Sequence, residues 1–232
     1  MIGLLPSSDF GIGRYLPLHT AMETGAIVVA MLVFGIVWNA YSDERPGNVV
    51  LLGVVLLGTA LLDFGHMLGY RGMPDFVTPA SPQKAIVFWL AARLLVAAGL
   101  LVAALRPWQP MLETRHRYRL LVGVLAYVAL LYALELLTPD HLPAFFVPGS
   151  GLTPLKVALE YGLVLIYGAA ALVFAWRAAH GAAFNAADLF AFGIVLVAIG
   201  KRGQKGDGED GFLLVQVHGG RSRAALKMVR GG

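Results

Sequence analysis

Six apolar runs divide the chain, at about residues 18–40, 48–70, 84–105, 119–138, 154–176 and 186–200. All but the last approach the roughly twenty residues an α-helix needs to cross the hydrocarbon core of a bilayer. Runs of this length rarely belong to strands, and backbone in lipid must satisfy its hydrogen bonds within its own segment. A chain of 232 residues built this way is predicted to be all-α, a polytopic transmembrane bundle of about six helices. Composition agrees: 58% hydrophobic residues, 14% charged residues and a mean hydropathy of +0.71 are too apolar for an ordinary water-soluble domain. The segments between the runs carry breakers or charges and read as loops: Ser42 to Gly47, Arg71 to Pro82, Arg106 to Arg119, Pro139 to Pro154 and Arg177 to Asn185. The first run is longer than the apolar region of a signal peptide and has only Arg14 upstream, so it is read as a retained helix behind an outer segment, residues 1–17.

The absence of cysteine removes disulfides, thiolate metal sites and cysteine nucleophiles from consideration. The net charge of +4 is confined to the tail, because residues 201–232 hold seven Lys or Arg and three acids while residues 1–200 hold 11 of each. The membrane body is therefore electrically balanced, and its expected partner is the lipid bilayer, with no nucleic acid. Lys and Arg in short loops also set orientation. The 106–119 loop carries Arg106, Arg115, Arg117 and Arg119, whereas the 139–153 loop carries no Lys or Arg. The first is placed in the cytoplasm and the second outside, which puts the N-terminus and loop 71–83 outside as well.

The tail fits this scheme poorly. It is basic, contains eight glycines and starts abruptly with Lys201-Arg202-Gly203-Gln204-Lys205 inside an apolar run. It is read as non-native or disordered, with the reading frame lost near Gly200.

Titratable side chains within membrane helices are costly, so each is a functional candidate. His19 and Glu23 are four apart on the first helix, and Asp63 and His66 are three apart on the second, so each pair shares a face. With Arg93, Glu135 and Glu160, all fall in the outer half of the predicted bundle. The expectation is a polar, outward-opening pocket for a small ligand or ion, with His19, Glu23, Asp63, His66, Arg93 and Glu160 as ligand-binding residues. A divalent metal held by His19, Glu23, Asp63 and His66 ranks second, and haem between the two histidines a distant third. A proton-responsive site would need only a histidine beside a carboxylate. Retinal is disfavoured, with Lys84 read as a loop residue and Lys156 as close to a helix end. The competing structural reading has Arg93 pair with Asp63 or Glu160 simply to hold helices together, and Glu135 and Glu160 taken singly suit that role equally well. The loop 71–79 reads as a lid or as a rigid interfacial connection. Trp38, Trp89, Trp108 and Trp176 read as interfacial anchors, and Ala91-Ala92 and Ala97-Ala98-Gly99 as close-packing surfaces.

Several stretches resemble a bacterial membrane-associated sensor domain family, the third class of that kind. They are Leu18-His19-Thr20-Ala21-Met22-Glu23, Val33-Phe34-Gly35-Ile36-Val37-Trp38, Leu62-Asp63-Phe64-Gly65-His66-Met67-Leu68-Gly69-Tyr70, Gly72-Met73-Pro74-Asp75-Phe76-Val77-Thr78-Pro79 and Phe88-Trp89-Leu90-Ala91-Ala92-Arg93. The resemblance covers roughly residues 15–200, most strongly in the first three helices. It implies an input module of the bacterial cytoplasmic membrane, placed ahead of a histidine kinase or diguanylate cyclase output, with homodimerisation by analogy. It also implies a seventh helix returning the chain to the cytoplasm, where this sequence instead has its basic tail. No output motif is present, so the chain is expected to be a truncated sensor with no catalytic residues and not an enzyme. The rival reading, a small transporter or channel, predicts polar residues continuing through the inner half of the helices.

Overall fold

The computed structural model describes residues 12–42, 45–110 and 114–180; the predicted sixth helix at 186–200 and the tail at 201–232 lie outside them. Five helices make up the described chain: α1 Ile12–Asn39, α2 Gly47–Gly69, α3 Pro82–Leu105, α4 Thr114–Leu137 and α5 Pro154–Ala179. Each contains a span long and apolar enough to cross a membrane, and the fold is an all-α helix bundle. A short 3₁₀ turn, Pro139–His141, and a two-stranded hairpin, β1 Phe146–Val147 with β2 Gly151–Leu152, bridge α4 and α5.

Local chemistry explains the boundaries. α3 and α5 open alike: a hydroxyl cap, then proline, then a lysine at the third helical position. The Ser81 hydroxyl accepts from the Lys84 amide at 3.1 Å and the Thr153 hydroxyl from the Lys156 amide at 3.3 Å. α4 begins at Thr114, five residues before its predicted start, because Thr114 to Arg119 are polar but helix-compatible and a helix does not end where its apolar run does. α5 runs on to Ala179, and its Arg177 guanidinium donates to the carbonyls of Arg106 at 2.7 Å and Leu105 at 3.3 Å, satisfying acceptors at the end of α3.

α2 and α3 form the centre. α2 packs against α1, α3 and α4, and α3 packs against α5. Leu51, Val55, Val87, Leu100, Leu163 and Phe174 lie in one buried cluster, and Leu62, Phe88, Ala92 and Val128 in a second. Tyrosine hydroxyls stitch helices to neighbouring backbone: Tyr132 to the Leu61 carbonyl at 2.6 Å and Tyr127 to the Ala91 carbonyl at 3.0 Å. Ala91, Ala92, Ala97 and Gly99 are buried in these contacts, whereas Ala98 faces outward. α1 differs from the rest, since it lies mainly against α2 and none of its described side chains is buried. Met22, Val29, Leu32 and Ile36 are exposed at helical spacing on it, a face suited to lipid.

Close approach depends on small residues. A Cβ at Gly65 would lie 2.8 Å from the Tyr132 hydroxyl and 2.9 Å from the Phe88 ring, both held in place by packing or hydrogen bonding. Gly65→Val is expected to cost about 1–3 kcal/mol through overpacking. A melting temperature in detergent equal to that of the wild type would count against this account.

Candidate functional site

One end of the bundle, where α1, α3 and α5 begin and α2 and α4 finish, gathers most of the buried charge. Of the buried polar residues among those described, Asp63, Lys84, Glu135, Lys156 and Glu160 lie towards this end, Thr59 lies within α2, and Asn48 lies at the opposite end.

At the seam between α1 and α2, His19, Glu23 and His66 converge, each offering a potential ligand atom, and these atoms all lie within 4.8 Å of one another. The two imidazoles meet edge to face with centroids 5.7 Å apart, and the Tyr70 ring covers His19 at 4.3 Å. His66 Nδ1 sits 2.8 Å from the Ala85 carbonyl on α3. A carbonyl can only accept, so this contact requires the proton on Nδ1 and leaves Nε2 of a neutral ring with its lone pair.

Asp63, one helical turn from His66 towards the bundle middle, pairs instead with Arg93 of α3 at 3.5 Å. Glu23 interacts electrostatically with both partners of that pair. Arg93 in turn lies 5.7 Å from the Trp89 ring centroid, and on the same ring sits the Lys156 ammonium at 5.8 Å. Lys156 forms an ion pair with Glu160 at 2.7 Å, and both side chains are almost wholly buried.

Thus the structure brings three of the six sequence candidates together, places Asp63 and Arg93 beside them as a pair, and sets Glu160 apart with Lys156. Asp63, expected beside these three, lies outside the trio, with its carboxylate engaged by the Arg93 guanidinium. Glu135 is buried near the end of α4, where it interacts electrostatically with Lys84.

Lys156 lies close to the start of α5, as its position in the sequence indicates, but the burial of both lysines is not something the sequence shows. Lys84 is not a loop residue: it lies in the first turn of α3, is 1% exposed, and donates to the Phe76 carbonyl at 2.7 Å, the Thr78 carbonyl at 2.9 Å and the Thr78 hydroxyl at 2.9 Å. The loop 71–79 is thereby tied down as a rigid connection rather than left as an open lid. Trp89 likewise is more than an interfacial anchor, since it stands between two cations. The legible signal was the repeated Ser/Thr-Pro-x-Lys pattern at 81–84 and 153–156. A cation in the first turn opposes the helix dipole and so calls for specific acceptors.

The opposite end is built differently. The Arg117 guanidinium lies 4.6, 4.7 and 4.8 Å from the ring centroids of Trp38, Tyr41 and Tyr118, fastening the far end of α1 to the start of α4. Asn48 donates to the Ala103 carbonyl at 3.2 Å. A conduction path would need polar groups through this half, and among the described residues the buried core here is otherwise apolar.

These features define a multi-pass membrane helix bundle with an ionisable cluster at one end. The chain belongs to the membrane-associated sensor domain family MASE3, whose model matches residues 10–201. No curated protein and no solved structure shows significant similarity to it.

Proposed function

We propose that this chain is the sensory input module of a bacterial signal-transduction protein in the cytoplasmic membrane, with its N-terminus outside. It recognises a small ligand or ion at the His19–Glu23–His66 cluster and governs a cytoplasmic output of histidine kinase or diguanylate cyclase type. The role is recognition rather than turnover. The observation that carries this reading is the convergence of those three side chains on the α1–α2 seam in a chain of a sensor family. Orientation is supported by Arg45, Arg106, Arg115, Arg117, Arg119 and Arg177, all at the opposite end of the bundle. At the site end Lys84 and Lys156 are buried against their own acceptors, which leaves Arg71 as the exposed loop cation there among the described residues, against the six arginines at the other end.

An occupant bridging α1 and α2 shifts helix positions only if it binds two arrangements with different affinity. α1 suits that task, because it is little buried at the site and clamped at its other end by Arg117. The test is a thermal-shift screen of the purified chain with metals, pH steps and small metabolites. A true ligand at 100 times its Kd is expected to stabilise the wild type by about 2.7 kcal/mol and to leave the Asp63→Asn/His66→Ala variant unshifted. If no condition separates the two proteins, the sensory pocket is ruled out.

A further inference from the structure

We infer that His19, Glu23 and His66 form a three-ligand site for a divalent transition-metal ion, clasped between α1 and α2. This deepens the sensory reading of the same cluster and rests on it. The donor set is two imidazole nitrogens and one carboxylate oxygen, which suits zinc, cobalt, nickel or ferrous iron and leaves further coordination positions open. His19 and Glu23, four apart on α1, present two donors on one face, and His66 supplies the third from the facing helix.

Two further observations single out this trio. His66 already carries the outer hydrogen bond characteristic of a metal-bound histidine: its Nδ1 contact to the Ala85 carbonyl at 2.8 Å holds the ring and, in the neutral imidazole, makes Nε2 the nitrogen able to coordinate. Asp63, the fourth residue the spacing offers, is drawn off by Arg93 at 3.5 Å. It therefore serves as a neighbour to the site rather than a ligand.

The distances also say what binding would do. Donors on a tetrahedral zinc with bonds near 2.0–2.1 Å lie about 3.3 Å apart. Atoms spread over as much as 4.8 Å must then draw together by up to about 1.5 Å. α1 is the least enclosed of the described helices, with no buried side chain among those described, and so is the element to supply that movement. Metal binding pulls its outer half onto α2, while the Arg117 contacts hold the other end.

The full chain, purified with chelator and placed in lipid nanodiscs, is titrated with Co²⁺ and then Zn²⁺. The expected result is one Co²⁺ per chain, with visible d–d absorption of a mixed nitrogen and oxygen site that Zn²⁺ displaces. Glu23→Gln and His66→Gln are each expected to weaken binding about 100-fold or more, beyond the usual loss from an outer-shell partner. Asp63→Asn is expected to bind within a few-fold of wild type. Helical circular dichroism and elution volume establish folding, and His19→Gln replaces any variant that fails them. Absence of stoichiometric uptake by the wild type, or uptake unchanged in both ligand variants, overturns the site. If a metal-free metabolite stabilises the wild type through His66 and no metal binds, the metal site falls and the sensory reading stands. Stoichiometric metal binding lost in the ligand variants, but leaving hydrogen exchange along α1 unchanged, supports the metal site and counts against the sensory reading, which needs the occupant to favour one helix arrangement.

Discussion

Lys156→Met is expected to lower the stability of the bundle by about 3–5 kcal/mol, the loss typical of stripping one partner from a buried ion pair. The Lys156 ammonium lies 2.7 Å from the Glu160 carboxylate, with side-chain exposures of 1% and 5%. Methionine fills nearly the same volume, so the loss reports charge rather than packing. The Glu160 carboxylate would be left buried without its counter-ion, at a cost in free energy. The double variant Lys156→Met/Glu160→Met removes both charges and is expected to recover most of the loss, since a buried pair is often worth little more than apolar side chains of similar size. Unfolding free energies in bicelles by steric trapping supply the comparison. Equal destabilisation of the single and double variants would mean that Lys156 acts through packing on Trp89, and the electrostatic account would fail.

Lys84→Met is expected to cost about 3 kcal/mol or more and to loosen the loop before α3. Its ammonium satisfies three oxygens of Phe76 and Thr78, and hydrogen bonds to a charged group contribute about 1.5–3 kcal/mol each before losses shared within one network. Those bonds hold a backbone that would not adopt this shape unaided. Val77 has φ of +62°, a left-handed value that costs a β-branched residue about 1–3 kcal/mol. The Thr78 amide donates to the Phe76 carbonyl at 2.7 Å, closing a three-residue turn around Val77. Hydrogen exchange in nanodiscs is expected to show protection lost across residues 71–81 in Lys84→Met. Adding Val77→Gly, which removes the strain, is expected to restore part of it. Unchanged exchange in the single variant would show that other contacts of the loop, such as the Ala80 amide's bond to the Asp75 carboxylate at 3.3 Å, suffice to hold it.

Much of this architecture is legible along the chain. The length of each apolar run, with lipid as solvent, leaves a helix as the only backbone that satisfies itself, and the Ser81-Pro82 and Thr153-Pro154 starts mark where two of those helices begin. Spacing alone also places His19 with Glu23, and Asp63 with His66, because side chains three or four apart share a helix face whatever surrounds them. The charged first turns of α4 were missed because hydropathy reports the solvent around a segment, while helix hydrogen bonding continues into the interface without regard to it.

What one chain in one dimension does not contain is the rotation and height of each helix against the next. Those are set by packing, by the close approach at Gly65 and by the Tyr132 and Tyr127 contacts, all between residues remote in sequence. They decide that His66 faces His19 and Glu23 while Asp63, a turn away, faces Arg93. They also decide that two lysines with apolar stems are enclosed rather than left at the interface, because each ammonium finds oxygen acceptors within 3 Å. Sequence determined which side chains each helix carries on a common face; only the tertiary structure decided which faces meet, because a helix's hydrogen bonds are internal and say nothing of its neighbours.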